Sequence, residues 1–286
     1  MLRHTFRHLP GVGEVTERKL WAAGFLSWED CFSNTRQCQL PARIRSTLHQ
    51  HLDQSVKALG AGHARHFEMR LPPSQVWRLY PDFRDRVAFL DIETTGLFPG
   101  ADAITLIGLF DGLKTKVFIR GINLDEFARE IEKYSLIVTF NGKRFDIPFI
   151  RRTFGELPGY QAHIDLLYPL RRLGYRGGLK SIEVQLGLER EGALKEVDGF
   201  IAVLLWREYE RGNKAALDTL VRYNLEDVVN LRYLADVVYN EAIAKLPIRV
   251  AALPAPSKYR LNTPFDPDLI RRLRQLTSAM PYGFGV

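Results

Sequence analysis

Two acidic residues, Asp91 and Glu93, stand where a buried strand is predicted to end. The apolar run 87–90 favours a strand, and strand alternation points both carboxylates to one face. Neighbouring anions against a core repel each other and lose solvation, so one of them would ordinarily be protonated. A bound divalent cation removes that conflict, and the spacing therefore predicts a metal site.

A third acid, Asp146, follows a second apolar run, 136–140, and an Asn-Gly turn. A helix is predicted to begin near Asp146, and a carboxylate at a helix start commonly caps that helix. Taken alone, Asp146 is better explained as a cap than as a metal ligand.

The fourth acid, Asp227, comes four residues after Tyr223 in the predicted helix 214–240. Residues four apart lie on one face of a helix. By itself the pair is equally typical of a half-buried tyrosine beside a surface aspartate, so its weight comes from the other acids.

The order of these motifs resembles the tyrosine variant of the DEDD superfamily of ribonuclease-H-like 3′→5′ exonucleases. The stretch from Asn141 to Pro148 is especially similar to the YprB-type branch, and the resemblance covers residues 87–240. The histidine variant would place its histidine at position 222, which is arginine here. The resemblance therefore selects Tyr223 as the assisting residue.

The resemblance implies that the four acids hold two divalent ions. Asp91 would bridge both ions, Glu93 and Asp227 would complete one site, and Asp146 would help to hold the other. Oxygen ligands select Mg²⁺ or Mn²⁺ over zinc, and two such ions can activate water and stabilise the leaving 3′ oxygen. Tyr223, ordinarily protonated at neutral pH, would orient the attacking water.

Several other residues are candidates for nucleic-acid contact. In similar nucleases the stretch after the first motif touches the terminal nucleotide, although here it could simply be a turn; it comprises Thr94, Thr95, Gly96 and Leu97. Asn141 is a further candidate, next to a set of basic residues that could line a phosphate track or be solvated surface: Lys143, Arg144, Arg171, Arg172, Arg176 and Lys180. Asp165 is interpreted as a helix cap outside the site.

The N-terminal stretch 9–13 contains Gly11 and Gly13 and resembles the hairpin of a helix-hairpin-helix element. In such elements glycine amides at a helix start bind DNA phosphates. Only eight residues precede this stretch, which is short for a complete first helix. Packing of Leu20, Trp21 and Trp28 into a small helical subdomain explains the loop equally well.

The remaining pattern predicts an α/β fold, a ribonuclease-H-like mixed sheet flanked by helices, with a small helical N-terminal domain. We divide the chain into a helical domain (1–62), a linker (63–85), the exonuclease domain (86–245) and a Pro-rich tail with a basic helix (246–286). Strand patterns at 87–92, 104–110 and 115–119 favour a meander, followed by a helix at 124–134 and strands at 136–140 and 162–165.

Composition bounds the class of protein. The chain has 286 residues and a net charge of +7, with 12 Lys and Arg against 7 Asp and Glu in residues 1–84, 21 against 23 in 85–240, and 7 against 3 in 241–286. The basic segments 1–84 and 241–286 suit binding to a polyanion, although a solvated surface that is rich in arginine explains the charge equally well. Cys31 and Cys38 are expected to be reduced core thiols. With no predicted membrane span or secretory signal, we expect a cytoplasmic protein.

These observations favour a metal-dependent 3′→5′ exonuclease that acts on nucleic acid. We expect it to act on DNA rather than RNA and to prefer single strands. The alternatives are a non-catalytic nucleic-acid-binding protein on the same fold and a structure-specific endonuclease. The clustered carboxylates argue against a pure binding protein, because repelling charges gain nothing in binding a polyanion.

Overall fold

The fold is built on one five-stranded mixed sheet. The computed structural model describes residues 1–32 and 42–278. The strands are β1 (Val87–Thr94), β2 (Ile104–Phe110), β3 (Thr115–Ile119), β4 (Leu136–Thr139) and β5 (Ala162–Asp165), in the order β3-β2-β1-β4-β5. The meander is confirmed, since β1, β2 and β3 pair antiparallel, whereas β4 and β5 continue the sheet parallel to β1. The carboxyl ends of β1, β4 and β5 therefore lie at one edge.

Alternation along β1 divides its side chains between two apolar layers. Ala88, Leu90 and Ile92 pack on the face covered by α6 (Phe127–Ile131) and α7 (Asp146–Phe154). Phe89 packs on the opposite face, which is covered by the long helix α11 (Lys214–Ala244). Asp91 and Glu93 share the face of Phe89, so the same alternation that builds the core directs both acids towards α11.

The other helices surround this sheet. The N-terminal part contains α1 (Glu14–Ala22), α2 (Trp28–Phe32), α3 (Ala42–Gly60), α4 (Ala64–Glu68) and α5 (Tyr80–Phe83). Helices α8 (Leu167–Leu173), α9 (Leu179–Gln185) and α10 (Gly199–Glu210) lie between β5 and α11 in sequence, and α12 (Pro267–Ser278) follows the Pro-rich segment. The predicted helix 124–134 is shorter than expected, because a 3₁₀ turn at Leu124–Glu126 precedes α6.

Segment 63–85 is not an extended linker. It contains α4, a 3₁₀ helix (Pro73–Leu79), α5 and a further 3₁₀ turn (Arg84–Arg86). Its apolar side chains, including Phe67, Trp77 and Phe83, belong to the same buried cluster as Trp28 and Phe89. Burial of these large side chains favours a packed segment that joins the N-terminal helices to the sheet.

Buried polar contacts also hold the N-terminal part in place. Arg78 donates to Glu17 at 2.9 Å and to Thr5, and Trp28 Nε1 donates to the carbonyl oxygen of Thr5 at 2.8 Å. Cys31 is buried, as predicted, whereas Cys38 lies outside the described residues. Within the described ranges, no helix is both long and apolar enough to cross a bilayer.

The Pro-rich segment lies against the body of the protein without helix or strand from 249 to 266. Arg222 donates to the carbonyl oxygen of Thr263 at 2.7 Å, and the Tyr259 ring packs against Phe110 at a centroid distance of 4.8 Å. The predicted basic helix is confirmed as α12, whose Leu269, Ile270 and Leu273 pack on the α10 side of the core.

Candidate metal centre

Three of the predicted acids meet between β1 and α11. One carboxylate oxygen from each of Asp91, Glu93 and Asp227 lies within 4.8 Å of the others, and we call these three residues the acid cluster. Asp91 is opposite Gly108 and Glu93 is opposite Leu106 on β2, while Asp227 reaches the two from α11. Glu93 and Asp227 are buried, and Asp91 is half-buried. The grouping arises because residues that are distant in sequence pack face to face.

Asp146 approaches the same strand from the other side of the site. It is the first residue of α7, and its Oδ1 accepts a hydrogen bond of 3.1 Å from the backbone N–H of Ile92, between Asp91 and Glu93. Asp146 is buried but does not belong to the group of three whose oxygens lie within 4.8 Å. The cap that best explained Asp146 alone is not formed, because Phe145 occupies the cap position without a side-chain cap, and Asp146 instead contacts β1.

Burial and mutual repulsion raise the pKa of every acid in the site. The pKa of Asp91 lies well above its ordinary value because of burial and then the charges of Asp227, Asp146 and Glu93. Burial and the Asp227 charge raise the pKa of Glu93 to about 8. Burial raises the pKa of Asp146 to about 7, and that of Asp227 to about 6 although Arg190 opposes the rise. A bound cation would favour the ionised form of these carboxylates and so lower their pKa values.

Asn224, one helical turn before Asp227, links α11 to the strand that carries the acids. Its Nδ2 donates to Asp91 Oδ2 at 2.8 Å and lies 3.5 Å from Glu93 Oε1. Gly108 makes this approach possible, because a methyl group at that position would overlap the Asn224 amide oxygen. Neither residue was identified from sequence; the spacing of Asn224 and Asp227, three apart on one helix, was the available signal.

Arg190 is the second group that sequence reasoning missed. Its Nη2 donates to Asp227 Oδ1, while its Nε and Nη2 donate to the two oxygens of Glu183 at 2.7 and 2.8 Å. Asn230 Nδ2 also donates to Glu183, at 2.9 Å. Arg190 and Glu183 are both buried, so this network fixes the Asp227 carboxylate from behind.

Tyr223 lies one turn before Asp227 and is 8% exposed. The Lys180 ammonium lies 5.0 Å and the Arg190 guanidinium carbon 5.4 Å from the centroid of its ring. Burial, then the charges of Asp227 and Glu93, raise the pKa of the Tyr223 hydroxyl well above its usual value. The hydroxyl therefore carries its proton at neutral pH and can donate a hydrogen bond.

Asp165 shapes the turn that leads to Asp146. Its Oδ1 accepts from the backbone N–H of Leu167 at 3.1 Å, which agrees with the predicted cap, and from Asn141 N–H at 2.8 Å. Its Oδ2 accepts from Lys143 N–H at 3.1 Å. Asn141 has a φ of 61°, so these bonds hold a left-handed residue in the turn. Asp165 thus positions Asn141 and Lys143, a role that sequence reasoning did not assign to it.

The stretch after the first motif forms an ordered loop. Thr94 Oγ1 donates to the carbonyl oxygen of Gly96 at 2.5 Å, and Thr95 Oγ1 donates to Asp102 at 3.1 Å. Leu97 is 63% exposed directly beyond them. The loop after β1 thus presents an exposed apolar side chain, and its contact with a terminal nucleotide remains a prediction.

Gly11 and Gly13 lie at the start of α1. Gly11 has a φ of 75°, and Gly13 is the residue before the first helical residue, Glu14. Within residues 1–8, a three-residue 3₁₀ turn, Leu2–His4, precedes the loop. Leu9 and Val12 are buried, which agrees with a packing role. Binding of DNA by the two glycines stays a prediction.

The donor set fits a hard divalent cation. Three carboxylates converge, and among the described residues the buried cation that contacts one of them, Arg190, shares its charge with Glu183. Ionisation of all three would therefore leave an excess of negative charge in a buried place, which a divalent cation relieves. Ligands that are all oxygen favour Mg²⁺ or Mn²⁺ over softer metals.

Known structures are similar to part of this chain at low sequence identity. A family B DNA polymerase from Pyrobaculum calidifontis matches with a TM-score of 0.41 and 19% identity, over 56% of this chain and 26% of the polymerase. A Brucella melitensis NrnC structure with bound Mg²⁺ matches with a TM-score of 0.39 and 21% identity, over 56% of this chain and 74% of NrnC. The same protein bound to pGG matches with a TM-score of 0.38 and 20% identity, over 57% of this chain and 76% of NrnC.

Among curated proteins, no sequence matches this chain. The RNase_H_2 family, described as RNase_H superfamily, matches residues 88–239. This range begins in β1 and ends in α11, so it contains all five strands and each of the four acids. The chain therefore belongs to the RNase H superfamily, and its mixed five-stranded sheet has the fold of that superfamily.

Proposed function

We propose that this protein is a metal-dependent 3′→5′ exonuclease that hydrolyses phosphodiester bonds at nucleic-acid 3′ ends. The observation that carries the proposal is the convergence of Asp91, Glu93 and Asp227 within 4.8 Å in a member of the RNase H superfamily. Burying carboxylates that repel each other costs folding free energy, and such groups are typical of functional sites, here one that binds a cation.

The four acids would hold two Mg²⁺ or Mn²⁺ ions, with Asp91 shared between them and Asp146 on the second. When bound, such a pair activates water and stabilises the attacking and leaving oxygens of a phosphodiester. Arg190 and Asn224 keep Asp227 and Asp91 in place through the bonds described above. Tyr223, with its proton retained, donates a hydrogen bond that orients the attacking water.

A single strand is the substrate that we favour, and DNA is favoured over RNA because of the glycine loop at 9–13. The proposal is tested with end-labelled single-stranded, double-stranded and circular DNA and RNA, with and without chelator. Shortening of linear strands in Mg²⁺ or Mn²⁺ that chelator abolishes is expected. Cutting of the circle would instead identify an endonuclease.

Asp227→Asn should lower the rate of trimming by at least about a hundredfold, because the loss of one ligand exceeds the tenfold to hundredfold typical of groups behind the ligands. Asp218→Asn, an exposed aspartate on the same helix, is the matched control and should trim normally. Equal rates in the two variants would exclude the site. Binding without turnover in Mg²⁺, Mn²⁺ and Co²⁺ would favour the non-catalytic binding protein.

A further inference from the structure

A continuous groove runs between the N-terminal helical part and the α8 side of the sheet. Three adjoining clefts of about 450, 570 and 200 Å³ form it. The first two clefts share Pro73, Val76, Lys143 and His163, and the last two share Ser74, Trp77, Pro169 and Arg172. We call the three clefts together the lateral groove.

None of the four acids lines the lateral groove, but residues of the elements that position Asp146 do. Ile147, the residue after Asp146, lines its first cleft, and Asp165, at the carboxyl end of β5, lines its middle cleft. Asp165 holds the backbone of Asn141 and Lys143, in the turn that delivers Asp146. Because β1, β4 and β5 run parallel, their carboxyl ends lie at the same edge of the sheet, so Asp165 in the middle cleft and the acid cluster lie at that edge.

The lining of the lateral groove has a surplus of positive charge. Arg65, Lys143, Arg171 and Arg172 line it, and none of the four forms an ion pair with another described residue. Four acidic side chains also line the groove, namely Glu68 and three others that already have partners. Glu17 accepts from Arg78, Glu14 pairs with Arg18, and Asp165 accepts three backbone N–H groups. Uncompensated cations along a cleft suit a chain of phosphates.

Aromatic side chains lie among these cations in the lining of the groove. Tyr168 is 39% exposed in the middle cleft, and the Lys143 ammonium lies 6.0 Å from the centroid of its ring. Trp77 borders the middle and the last cleft but is largely buried in the core, so Tyr168 is the ring that is open to stacking. Unpaired bases stack on such rings, whereas a duplex keeps its base faces covered.

We propose that the lateral groove binds the single-stranded nucleic acid that lies 5′ to the nucleotide at the acid cluster. The proposal rests on the proposed function, and it adds the path of the strand and its unpaired state. The wall formed by residues 73–77 lies outside the range 88–239 that matches the RNase H superfamily. This wall of the groove is therefore supplied by the packed segment 63–85 and not by the matched range.

The test measures binding of labelled 12-nucleotide DNA and RNA single strands to the full chain in the presence of chelator, across a salt series. The double variant Arg171→Glu/Arg172→Glu should bind about tenfold more weakly or worse. Its plot of log affinity against log salt should be shallower by about 1.4, since each phosphate contact to a single strand contributes about 0.7. Tighter binding of DNA or of RNA then identifies the preferred sugar.

The matched control is Arg120→Glu/Arg129→Glu, which makes the same change of charge at exposed positions near the β3 edge, away from α8. It should leave both the affinity and the salt dependence close to those of the parent protein. Equal weakening by the two double variants, or no weakening by the groove variant, would overturn the proposed path.

Hydrolysis of a dinucleotide separates this proposal from the proposed function. The groove variant should cleave a dinucleotide like the parent protein but should have a raised KM for the 12-nucleotide strand. If the parent protein cleaved neither substrate, the proposed function would fail. The binding measurement would still show whether the groove binds a single strand. A KM for the long strand equal to that of the parent would overturn the groove alone.

Discussion

At the residue scale, we expect substitution of Arg190 to have a large effect, although Arg190 is not itself a proposed metal ligand. It contacts Asp227 and forms two bonds to Glu183, and all three side chains are buried. A lysine cannot reproduce this fork of donors, because its ammonium is a single point charge. Arg190 therefore acts as a positioning residue for Asp227.

Arg190→Ala should destabilise the protein by about 3–5 kcal/mol, since it leaves Glu183 as a buried charge without its partner. Arg190→Lys should cost less in stability but still weaken Mg²⁺ binding, because Asp227 loses its fixed orientation. Urea unfolding and calorimetric titration with Mg²⁺ measure the two effects.

The control for Arg190 is Lys195→Ala, which removes an exposed ion pair with Glu189. It should change stability by less than about 1 kcal/mol and leave Mg²⁺ binding unchanged. An Arg190→Lys protein that bound Mg²⁺ like the parent would remove the positioning role.

At the element scale, the site depends on how closely α11 approaches β2. Gly108 is opposite Asp91 in the sheet, and the Asn224 side chain occupies the space where a larger residue would place its Cβ. Val228 Cγ1 would also lie 3.3 Å from that atom. The contact leaves no room for α11 to move closer or to accept an added methyl group.

Gly108→Ala should therefore destabilise the protein by about 1–3 kcal/mol or more, which is the usual cost of overpacking, and should displace Asn224 from Asp91. Thermal unfolding measures the loss. Gly100→Ala is the matched control, because a methyl group there meets no atom within 4 Å. Adding Asn224→Ala to Gly108→Ala should recover part of the loss, and strictly additive effects would contradict the proposed clash.

The elements themselves were largely predictable from sequence, because burial leaves a periodic pattern. Strand alternation correctly directed Asp91 and Glu93 to one face, and the four-residue spacing correctly put Tyr223 and Asp227 on one helix. Segment 63–85 shows what composition alone does not reveal. Its prolines, and the glycines at 60 and 62 just before it, suggested a linker, whereas its Trp77, Tyr80 and Phe83 are buried.

Contacts between distant segments were not predictable in the same way. Arg190 is 37 residues from Asp227 and lies outside any periodic helix, so no pattern in the sequence joins the two. Asp165 was recognised as a cap because that role is local, while its bonds to Asn141 and Lys143 arise only when β4 and β5 pair.

At the scale of the whole molecule, the acid cluster should make the stability of the metal-free protein depend on pH. Burial raises the pKa of Glu93 from its ordinary 4.5 to about 8, so between these values the folded protein binds more protons than the unfolded chain. Stability from such a group is complete below the unfolded pKa and is lost as pH rises through the folded pKa. The stability that Glu93 contributes is therefore lost between about pH 4.5 and pH 8.

Glu93→Gln removes this titration without removing the side chain. In chelator, its stability relative to the parent protein should rise between pH 6 and pH 8.5, by at most about 1.4 kcal/mol per pH unit. Glu196→Gln, at an exposed position, should follow the parent at every pH. Because a cation takes the place of the proton, Mg²⁺ should stabilise the parent more at pH 8.5 than at pH 6 and Glu93→Gln much less. Parallel pH curves for parent and Glu93→Gln would mean that Glu93 is ionised without a cation.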